Sequence, residues 1–499
     1  MREKLPKTIA LVRDFTQEGE GVAQLQSEAE ELDGRIVFIP DTVPGDLLAI
    51  DEVYSEGRKT QVSAYHILEP FAQRQEPFCR HFGTCGACQL QSVNYAANLK
   101  WKTKRVADVL ERVAGLEPEF VKGIIRPCLG MEEPYRYRSI VRYSLSVDGK
   151  LGFYTKQGQV EAKKRELGVS RKRSRRTENL LDSAIEVLGL EECLIQTEEF
   201  NLFRDYLNSS LGDIPKSEIA KLSTVEMRQN KERSAYMLVF HFNEEALESP
   251  YPEDWQELFE KFILYFNKKY PEVILSLFLD IMGEFVQVCG DEKLRTCENE
   301  VELAFAPQAF QQTNLRQNEV LYSEIVKAVK SAQSAEIVKK QATFKILELY
   351  CGSGSLSLQI ANALPKAEIL GIELVPEAIE DAKANAHANN LSQNTNFVVG
   401  DAQSFFLQEG KRVEYDLILV DPPRQGLEKK LSQAITESNI PYLLYVSCDP
   451  AALARDLKIL TKQYRIISAQ PIDMFPWTTH VETVVLMSRK SLIPSGLGD

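Results

Sequence analysis

The chain has 499 residues, of which 44% are hydrophobic and 26% charged, and its formal net charge is −13. This length suits several domains, and the composition is that of a folded protein rather than a disordered one. No run of about 18 apolar residues occurs and the N-terminus has no apolar leader, so we expect a cytoplasmic protein without a membrane span.

Charge is distributed unevenly along the chain. Residues 1–77 carry 8 basic and 15 acidic side chains, whereas residues 78–180 carry 21 basic and 10 acidic ones. A basic stretch inside an acidic protein indicates either a local anion-binding surface or a solvated charged face, and charge alone does not choose between them.

The N-terminal region contains closely spaced, short strand-like runs. Turns rich in Gly, Pro and Asp separate Ile9–Val12, Gly21–Leu25, Arg35–Ile39, Asp46–Val53 and Thr60–Tyr65. This spacing predicts a small β-barrel over residues 1–72, followed by a linker at Pro70–Pro77.

Three cysteines follow the linker within ten residues. Cys79, Cys85 and Cys88 enclose Gly83 and Gly86, a spacing typical of a metal-binding knuckle for zinc or an iron–sulfur cluster. A fourth ligand must come from elsewhere, and the spacing leaves Cys128, Cys193, Cys289 and Cys297 open.

The middle of the chain, residues 73–300, mixes strand-like and helix-like runs and predicts an α+β domain. Strands are expected at Ile140–Ser146 and Ser234–Phe242 and a helix at Asp254–Lys269. A basic and then amphipathic segment over residues 161–190 has no role that the sequence assigns, beyond a place on the surface.

From about residue 316 the pattern alternates between helix and strand. A helix at Gln317–Ser331 precedes apolar runs at 344–350, 368–372, 396–399, 415–420 and 442–447. This alternation predicts parallel βαβ units in a C-terminal α/β domain over residues 301–499. Val484–Met487 is expected to form a late strand, at an antiparallel edge of the sheet.

A glycine-rich turn follows the first of these strands. Gly352 and Gly354 permit a tight turn against a ligand, and Glu373 ends the next strand at a spacing that suits a ribose diol. A P-loop lysine and the third glycine of the dinucleotide pattern are both missing, so S-adenosylmethionine fits better than a triphosphate or NAD.

Two further strand ends carry reactive groups. Asp421 precedes two prolines that stiffen its turn, and Cys448 directly follows the run Tyr442–Ser447. A thiolate at this position could add to carbon 6 of uracil and activate carbon 5 for methylation, with Glu482 as the base that removes the carbon 5 proton. An inert, buried cysteine is the alternative for Cys448 taken alone.

With these motifs in family order, the chain resembles the bacterial RNA 5-methyluridine methyltransferases, in particular those that act on 23S ribosomal RNA. The resemblance covers nearly the whole chain and rests on Cys79–Gln89, Phe310–Asn314, Ser447–Pro450 and Phe475–Thr483. It implies an N-terminal TRAM barrel of the OB-like type that binds RNA and a C-terminal Rossmann-like class I methyltransferase domain.

The resemblance also implies a set of site residues. Cys448 is the nucleophile and Glu482 the base, and the cofactor contacts are Gln312, Tyr350, Ser355, Glu373, Asp401 and Asp421. It further implies a [4Fe–4S] cluster on Cys79, Cys85, Cys88 and Cys193. The segment 161–190 before Cys193 departs from the family layout, and Ser355 stands where relatives often have Asn or Thr.

Two alternatives accompany this interpretation. The chain could methylate transfer RNA by the same chemistry, or it could be a non-catalytic RNA-binding protein of ribosome assembly. The cysteine cluster and barrel argue against the first, and the presence of both Cys448 and Glu482 argues against the second. The expected partner is RNA, not DNA, and the expected oligomeric state is a monomer.

Overall fold

The computed structural model describes residues 7–56, 59–146, 148–156, 158–159, 186–243, 253–340, 343–410 and 413–492. Most of the basic segment 161–190 lies outside these residues. The chain divides into two compact units. Unit 1 contains residues 1–101, 152–193 and 475–480, and unit 2 contains residues 102–151, 194–474 and 481–499. The boundaries at residues 72 and 300 stay predictions.

Unit 1 contains the barrel that the sequence predicts. Its strands are β1 (Thr8–Phe15), β2 (Gly21–Ser27), β3 (Ile36–Ile39), β4 (Leu47–Glu56) and β5 (Lys59–Glu69). They close in the order β1-β2-β3-β5-β4. Along β1 and β2 buried positions alternate with more exposed ones, as expected when one face of each strand packs inside a closed barrel.

The cysteine segment of unit 1 is anchored on a buried tryptophan. The backbone N–H groups of Gln89 and Leu90 both donate to the Trp477 carbonyl at 2.9 Å, and the Phe78 ring packs edge-on against the Trp477 ring at 5.0 Å. Strands β7 (Leu151–Tyr154) and β8 (Val187–Gly189) pair antiparallel beside this segment, and Cys85 forms a backbone bridge with Thr155.

Unit 2 contains an α+β sheet in the middle of the chain. Its strands β6 (Ile140–Leu145), β9 (Leu222–Gln229), β10 (Ala235–Phe242), β11 (Ile274–Ile281) and β12 (Glu284–Cys289) have the order β12-β11-β10-β9-β6. Strands β13 (Leu294–Glu298) and β14 (Val301–Phe305) form a separate hairpin. Helices pack on the sheet through aromatic rings such as Phe203, Tyr236 and Phe266.

The second sheet of unit 2 is the parallel sheet that the alternating pattern predicts. It has the order β17-β16-β15-β18-β19-β21-β20. The strands are β15 (Phe344–Leu349), β16 (Ala367–Glu373), β17 (Thr395–Val399), β18 (Leu417–Val420), β19 (Tyr442–Ser447), β20 (Tyr464–Ile472) and β21 (Glu482–Arg489).

The helices complete the layers around these sheets. They are α1 (Tyr95–Arg112), α2 (Pro118–Ile124), α3 (Glu198–Leu211), α4 (Lys216–Ile219), α5 (Glu253–Lys269), α6 (Leu315–Lys340), α7 (Ser355–Ala363), α8 (Pro376–Ala388), α9 (Ala402–Phe405), α10 (Lys429–Glu437) and α11 (Pro450–Leu460). Within the described ranges, none of them combines the length and the apolar character that a membrane crossing requires.

The last strand lies deeper in the sheet than expected. The run Val484–Met487 does form an antiparallel strand, but β21 lies between β19 and β20, and β20 occupies the edge. Strand β20 contains Pro471, which lacks a backbone N–H and is tolerated where a strand has an open side. The prediction of an edge position was therefore wrong.

Candidate active site

Three strands of unit 2 bring the residues that follow them to one edge of the sheet. Leu349 of β15 pairs with Val420 of β18, and Val420 pairs with Tyr445 of β19. The residues that follow these parallel strands therefore emerge on the same side. Tyr350, Asp421 and Cys448 are such residues.

The glycine-rich turn after β15 is held in an unusual backbone conformation. Tyr350 has φ +68°, which costs energy for a residue with a side chain. Gly354 has φ +79°, and a Cβ there would lie 2.9 Å from Ala382 and from the Phe397 ring. Only glycine therefore fits at Gly354, both for its conformation and for the close approach of α8 and β17.

Glu373 supports this turn directly. One carboxylate oxygen accepts the Gly352 backbone N–H at 3.1 Å, and the other accepts the N–H groups of Leu374 and Val375 at 2.8 and 3.1 Å. The carboxylate thus stands beside the glycine turn, at the end of β16, where a ribose diol could replace or extend these bonds.

A cavity of about 270 Å³ opens beside this turn. Five of the predicted cofactor residues line it, namely Gln312, Tyr350, Ser355, Glu373 and Asp421. Of its lining residues six carry a carboxyl group and, within the part of the chain that the structure describes, none is Lys, Arg or His. An acidic cavity of this kind suits a ligand that carries positive charge.

Asp401, the sixth predicted cofactor residue, lies outside the lining of the cavity. Its side chain caps helix α9 and accepts the Ser404 backbone N–H at 2.8 Å. Burial is the main cause that raises the pKa of Tyr350 to about 12, and the negative charge of Asp401 contributes to it. Asp401 therefore lies near the cavity, but its carboxylate is engaged elsewhere.

An arginine in the α+β sheet supports the loop that carries Gln312. Arg228 donates to the Ala309 carbonyl at 2.8 Å, just before this loop. Glu226 accepts the Arg228 Nε–H at 2.5 Å and is also held by Arg142. Arg228 and Glu226 are buried, so the loop rests on a fixed, charge-paired support.

Cys448 and Glu482 face each other across two antiparallel strands. Ser447 of β19 pairs with Thr483 of β21. Because the strands run in opposite directions, the next residue on β19 is Cys448 and the preceding one on β21 is Glu482. The Ser447 side chain accepts the Asp449 backbone N–H at 3.2 Å and so fixes the turn that presents the thiol.

Cys448 and Glu482 have the same charged neighbours, Asp421 and Arg424. Burial is the main cause that raises the pKa of Cys448 to about 12; the carboxyls of Glu482 and Asp421 act in the same direction and Arg424 opposes them. Burial also raises the pKa of Glu482 to about 8, with Asp421 acting in the same direction. At neutral pH the thiol and the Glu482 carboxyl are thus mainly protonated. Asp421 lines the cavity and also acts on the pKa of both Cys448 and Glu482.

The four predicted cluster cysteines all lie in unit 1. Cys85, Cys88 and Cys193 are buried and Cys79 is half-buried, and none forms a disulfide. Arg80 pairs with Glu191, and the Glu191 backbone N–H donates to His81 at 3.3 Å. These contacts tie the Cys79–Cys88 segment to the residues just before Cys193.

The described residues contain no group of three or more His, Cys, Asp or Glu side chains arranged for a single metal ion. In a [4Fe–4S] cluster each cysteine binds a different iron, so the four sulfurs stand farther apart than the ligands of one ion. Four cysteine thiols are a donor set that suits an iron–sulfur cluster as well as a zinc ion.

Sequence reasoning missed part of the cavity wall. Glu298, Asn318 and Tyr322 line the cavity and are buried. Asn318 lies one helical turn after Asn314 of the Phe310–Asn314 motif, so helical spacing could have indicated it. Glu298 ends a hairpin strand and stands in no motif, so nothing in the sequence pointed to it.

Comparison with known proteins adds to this geometry. A family model described as tRNA (Uracil-5-)-methyltransferase matches residues 288–490. An RNA methyltransferase of Halalkalibacterium halodurans is 31% identical over 496 residues, which cover 96% of each chain. One from Listeria monocytogenes is 30% identical over 505 residues, 98% of each chain. The chain belongs to the RNA (uracil-5-)-methyltransferase family.

As a member of this family, the chain is an S-adenosylmethionine-dependent RNA methyltransferase. Its fold is similar to that of a Pyrococcus abyssi tRNA (uracil-54, C5)-methyltransferase solved with S-adenosyl-L-homocysteine. That likeness has a TM-score of 0.63 at 22% identity and covers 98% of this chain and all of the other. The family and the fold therefore agree with the methyltransferase domain expected from the alternating pattern.

Proposed function

We propose that this methyltransferase modifies carbon 5 of a uridine in 23S ribosomal RNA, with Cys448 as nucleophile and Glu482 as base. The observation that carries the proposal is the position of Cys448 opposite Glu482 at the Asp421 side of the acidic cavity. Support for ribosomal RNA comes from the barrel and the cysteine segment, which the resemblance associates with that type.

The chemistry needs one bond made and broken at carbon 6 of the uracil. Cys448 gives its proton to the solvent and adds to carbon 6 as the thiolate, which makes carbon 5 nucleophilic. Carbon 5 then takes the methyl group of S-adenosylmethionine, and S-adenosylhomocysteine leaves. Glu482 then takes the proton from carbon 5, and the electron pair of that bond expels Cys448 as the thiolate. Asp421 lines the cavity and acts on both Cys448 and Glu482, so we assign it the role of orienting the reacting groups.

The uracil must leave its stack to reach Cys448. Sequence-dependent RNA recognition is generally directed at loops and single strands, whose bases can be splayed out. We therefore propose a loop or single-stranded region as the substrate, with the barrel and the basic stretch of residues 78–180 as its holding surfaces.

The proposed cluster would be held by Cys79, Cys85, Cys88 and Cys193. Methyl transfer moves no unpaired electron, so we assign the cluster no redox role. We propose that it orders the cysteine segment for RNA binding. Protein purified without oxygen should contain about four iron atoms per chain, as the ligand set implies, and Cys85→Ala should lose them. A wild-type protein free of iron would contradict this assignment.

The rate should depend on pH because Glu482 must be ionised to accept a proton. With a pKa of about 8 in the free protein, its ionised fraction rises about ninefold from pH 6 to pH 7 and about fivefold from pH 7 to pH 8. The thiolate fraction of Cys448 rises in the same direction. We expect kcat/KM, measured with one RNA at constant ionic strength, to increase across this range. A value that falls as pH rises would oppose the assignment of Glu482.

The RNA target can be tested by nucleoside analysis. Purified protein and S-adenosylmethionine would be incubated with 23S ribosomal RNA and with total transfer RNA from cells that lack 5-methyluridine, and the digested RNA analysed by mass spectrometry. We expect 5-methyluridine in the ribosomal RNA only.

Transfer RNA is the second candidate, since the matching family model and the Pyrococcus abyssi structure both bear the name of a transfer RNA enzyme. The methylated nucleoside in transfer RNA alone would favour this candidate, and its absence from both RNAs would contradict the proposed function.

A further inference from the structure

The cavity wall contains buried polar atoms that have no hydrogen-bond partner. Glu298 is 0% exposed, Asn318 1% and Gln311 5%, and all three line the cavity. Within the described ranges, Glu298 Oε1, Asn318 Oδ1 and both amide atoms of Gln311 lack partners. A buried polar atom left unpaired costs about 1–3 kcal/mol, so such atoms in a cavity point to a ligand that would satisfy them.

Glu298 and Asn318 are fixed relative to each other. Glu298 Oε2 accepts the Asn318 Nδ2–H at 2.7 Å. The Glu298 backbone carbonyl accepts the Gln359 side-chain N–H at 2.7 Å, which holds the hairpin against α7. The two remaining oxygens, Glu298 Oε1 and Asn318 Oδ1, therefore belong to side chains whose positions are fixed.

The pair continues towards a predicted cofactor residue. Burial raises the pKa of Tyr322, one turn after Asn318 on α6, well above its ordinary value, and the neighbouring side chains of Asn318 and Ser355 oppose that rise. Ser355 is the first residue of α7, directly after the glycine turn. Asn318, Tyr322 and Ser355 are therefore neighbours that extend from Glu298 to the start of the helix that follows the cofactor turn.

Positive charge near Glu298 is scarce. The charged groups that act on it are Glu319 on α6 and Lys231 and Glu232 in the β9–β10 turn. Lys231 is already paired with Glu319. Burial, the main cause, raises the pKa of Glu298 to about 7, so below that pH the free protein holds Glu298 mainly as the neutral acid.

We propose that Glu298, Asn318 and Gln311 form the subsite for the amino-acid end of S-adenosylmethionine. The two unpaired oxygens of Glu298 and Asn318 accept N–H bonds from the α-ammonium group, and the Gln311 amide donates to the α-carboxylate. An α-amino acid zwitterion carries both the donors and the acceptors that these unpaired atoms of the cavity wall require. The inference rests on the proposed function, because it places that cofactor in this cavity.

A matched pair of ligands can isolate this subsite. S-adenosylhomocysteine and 5′-methylthioadenosine are both uncharged at sulfur, but only the first carries the amino-acid group. Their dissociation constants would be measured by calorimetry for the wild type, for Glu298→Gln and for Glu302→Gln. Glu302 is an exposed glutamate on the neighbouring strand β14, so its variant controls for the loss of a carboxylate in this hairpin.

We expect Glu298→Gln to weaken S-adenosylhomocysteine binding roughly tenfold or more, the usual effect of losing a hydrogen bond to a charged group. Binding of 5′-methylthioadenosine should stay within about twofold of the wild type, and Glu302→Gln should match the wild type with both ligands. Near pH 6 the wild type should also release protons when it binds S-adenosylhomocysteine, because Glu298 gives its proton to the solvent. Glu298→Gln should release fewer.

Each other outcome is decisive. If Glu298→Gln binds S-adenosylhomocysteine as the wild type does, the subsite is wrong while the proposed function stands. If this variant loses both ligands equally, Glu298 supports the whole cavity rather than the amino-acid end, and the assignment is again wrong. If the wild type binds neither ligand and also fails with S-adenosylmethionine, the proposed function itself is overturned.

Discussion

Cys448→Ala should abolish 5-methyluridine formation while S-adenosylmethionine binding stays near the wild-type value. Uracil carbon 5 is a poor nucleophile until a thiolate adds at carbon 6. Without the Cys448 sulfur, carbon 5 is therefore not activated for methyl transfer. Removing a nucleophile that works together with a base typically lowers kcat by about 10³-fold or more. Cys448 lies outside the lining of the cavity, so cofactor affinity should change little.

The measurement combines methyl transfer to RNA with calorimetric binding of S-adenosylmethionine. Cys297→Ala is a suitable control, because Cys297 is an exposed cysteine of the same unit on the hairpin strand β13. It should retain wild-type activity. Methylation by Cys448→Ala at more than a tenth of the wild-type rate would show that Cys448 is not the nucleophile.

The thiol must lose its proton before it can react, and the surroundings of Cys448 resist this in the free protein. Burial and then two carboxyls, Glu482 and Asp421, oppose a thiolate, whereas the exposed Arg424 and a backbone hydrogen bond favour it. A bound sulfonium would add positive charge on the Asp421 side. If Cys448 is the nucleophile as proposed, we expect bound cofactor to favour its thiolate.

The strands of the α/β domain could be predicted closely because each is a buried apolar run between helices. The predicted runs 344–350 and 442–447 differ by at most one residue from β15 and β19. In a parallel sheet both faces are covered, so apolar residues are continuous and stand out from the helices between them. The strand β20 lacks such a run and carries Pro471, and it was missed.

Two kinds of information were needed to predict which site residues lie close together. Tyr350 and Asp421 could be brought together by pattern alone, because parallel strands end at a common edge. Glu482 could not, since it begins a strand that enters the sheet from the opposite direction. Its role as the base was expected from the chemistry and from the resemblance, and the β19–β21 register provides a physical reason for its place opposite Cys448.

The sequence did not predict all of the acidic residues that line the cavity. Asp401 follows a strand and suits a ligand contact by motif, yet its carboxylate caps α9. Glu298 follows no motif, yet its carboxyl lies in the cavity. Which acid lines a cavity depends on hairpin and helix packing over long sequence separations, such as Glu298 with Gln359. Local sequence patterns do not predict contacts between residues that are so far apart in the chain.

Glu482→Gln should trap the enzyme covalently on its RNA. Burial keeps the Glu482 carboxyl mainly neutral at neutral pH, so glutamine resembles the resting side chain in shape and charge and should leave the fold intact. Cys448 can still add to carbon 6 and carbon 5 can still receive the methyl group. The amide, however, cannot accept the carbon 5 proton, so Cys448 is not expelled.

The adduct is detected on a denaturing gel as a protein band slowed by attached RNA, after incubation with both RNA and S-adenosylmethionine. Turnover should fall by about 10²–10⁴-fold, as expected for loss of a general base. Glu414→Gln, which changes an exposed glutamate of the same unit, should form no lasting band and should turn over normally.

The double variant Cys448→Ala/Glu482→Gln separates covalent capture from tight binding. If the slowed band reports a bond from Cys448 to carbon 6, it must vanish in the double variant, whereas a band that persists would come from another nucleophile. Omitting S-adenosylmethionine adds a second distinction. An unmethylated adduct can revert by losing Cys448 from carbon 6, so the band should weaken without the methyl donor. A strong band that ignores the donor would mean that Glu482 acts before methyl transfer and not after it.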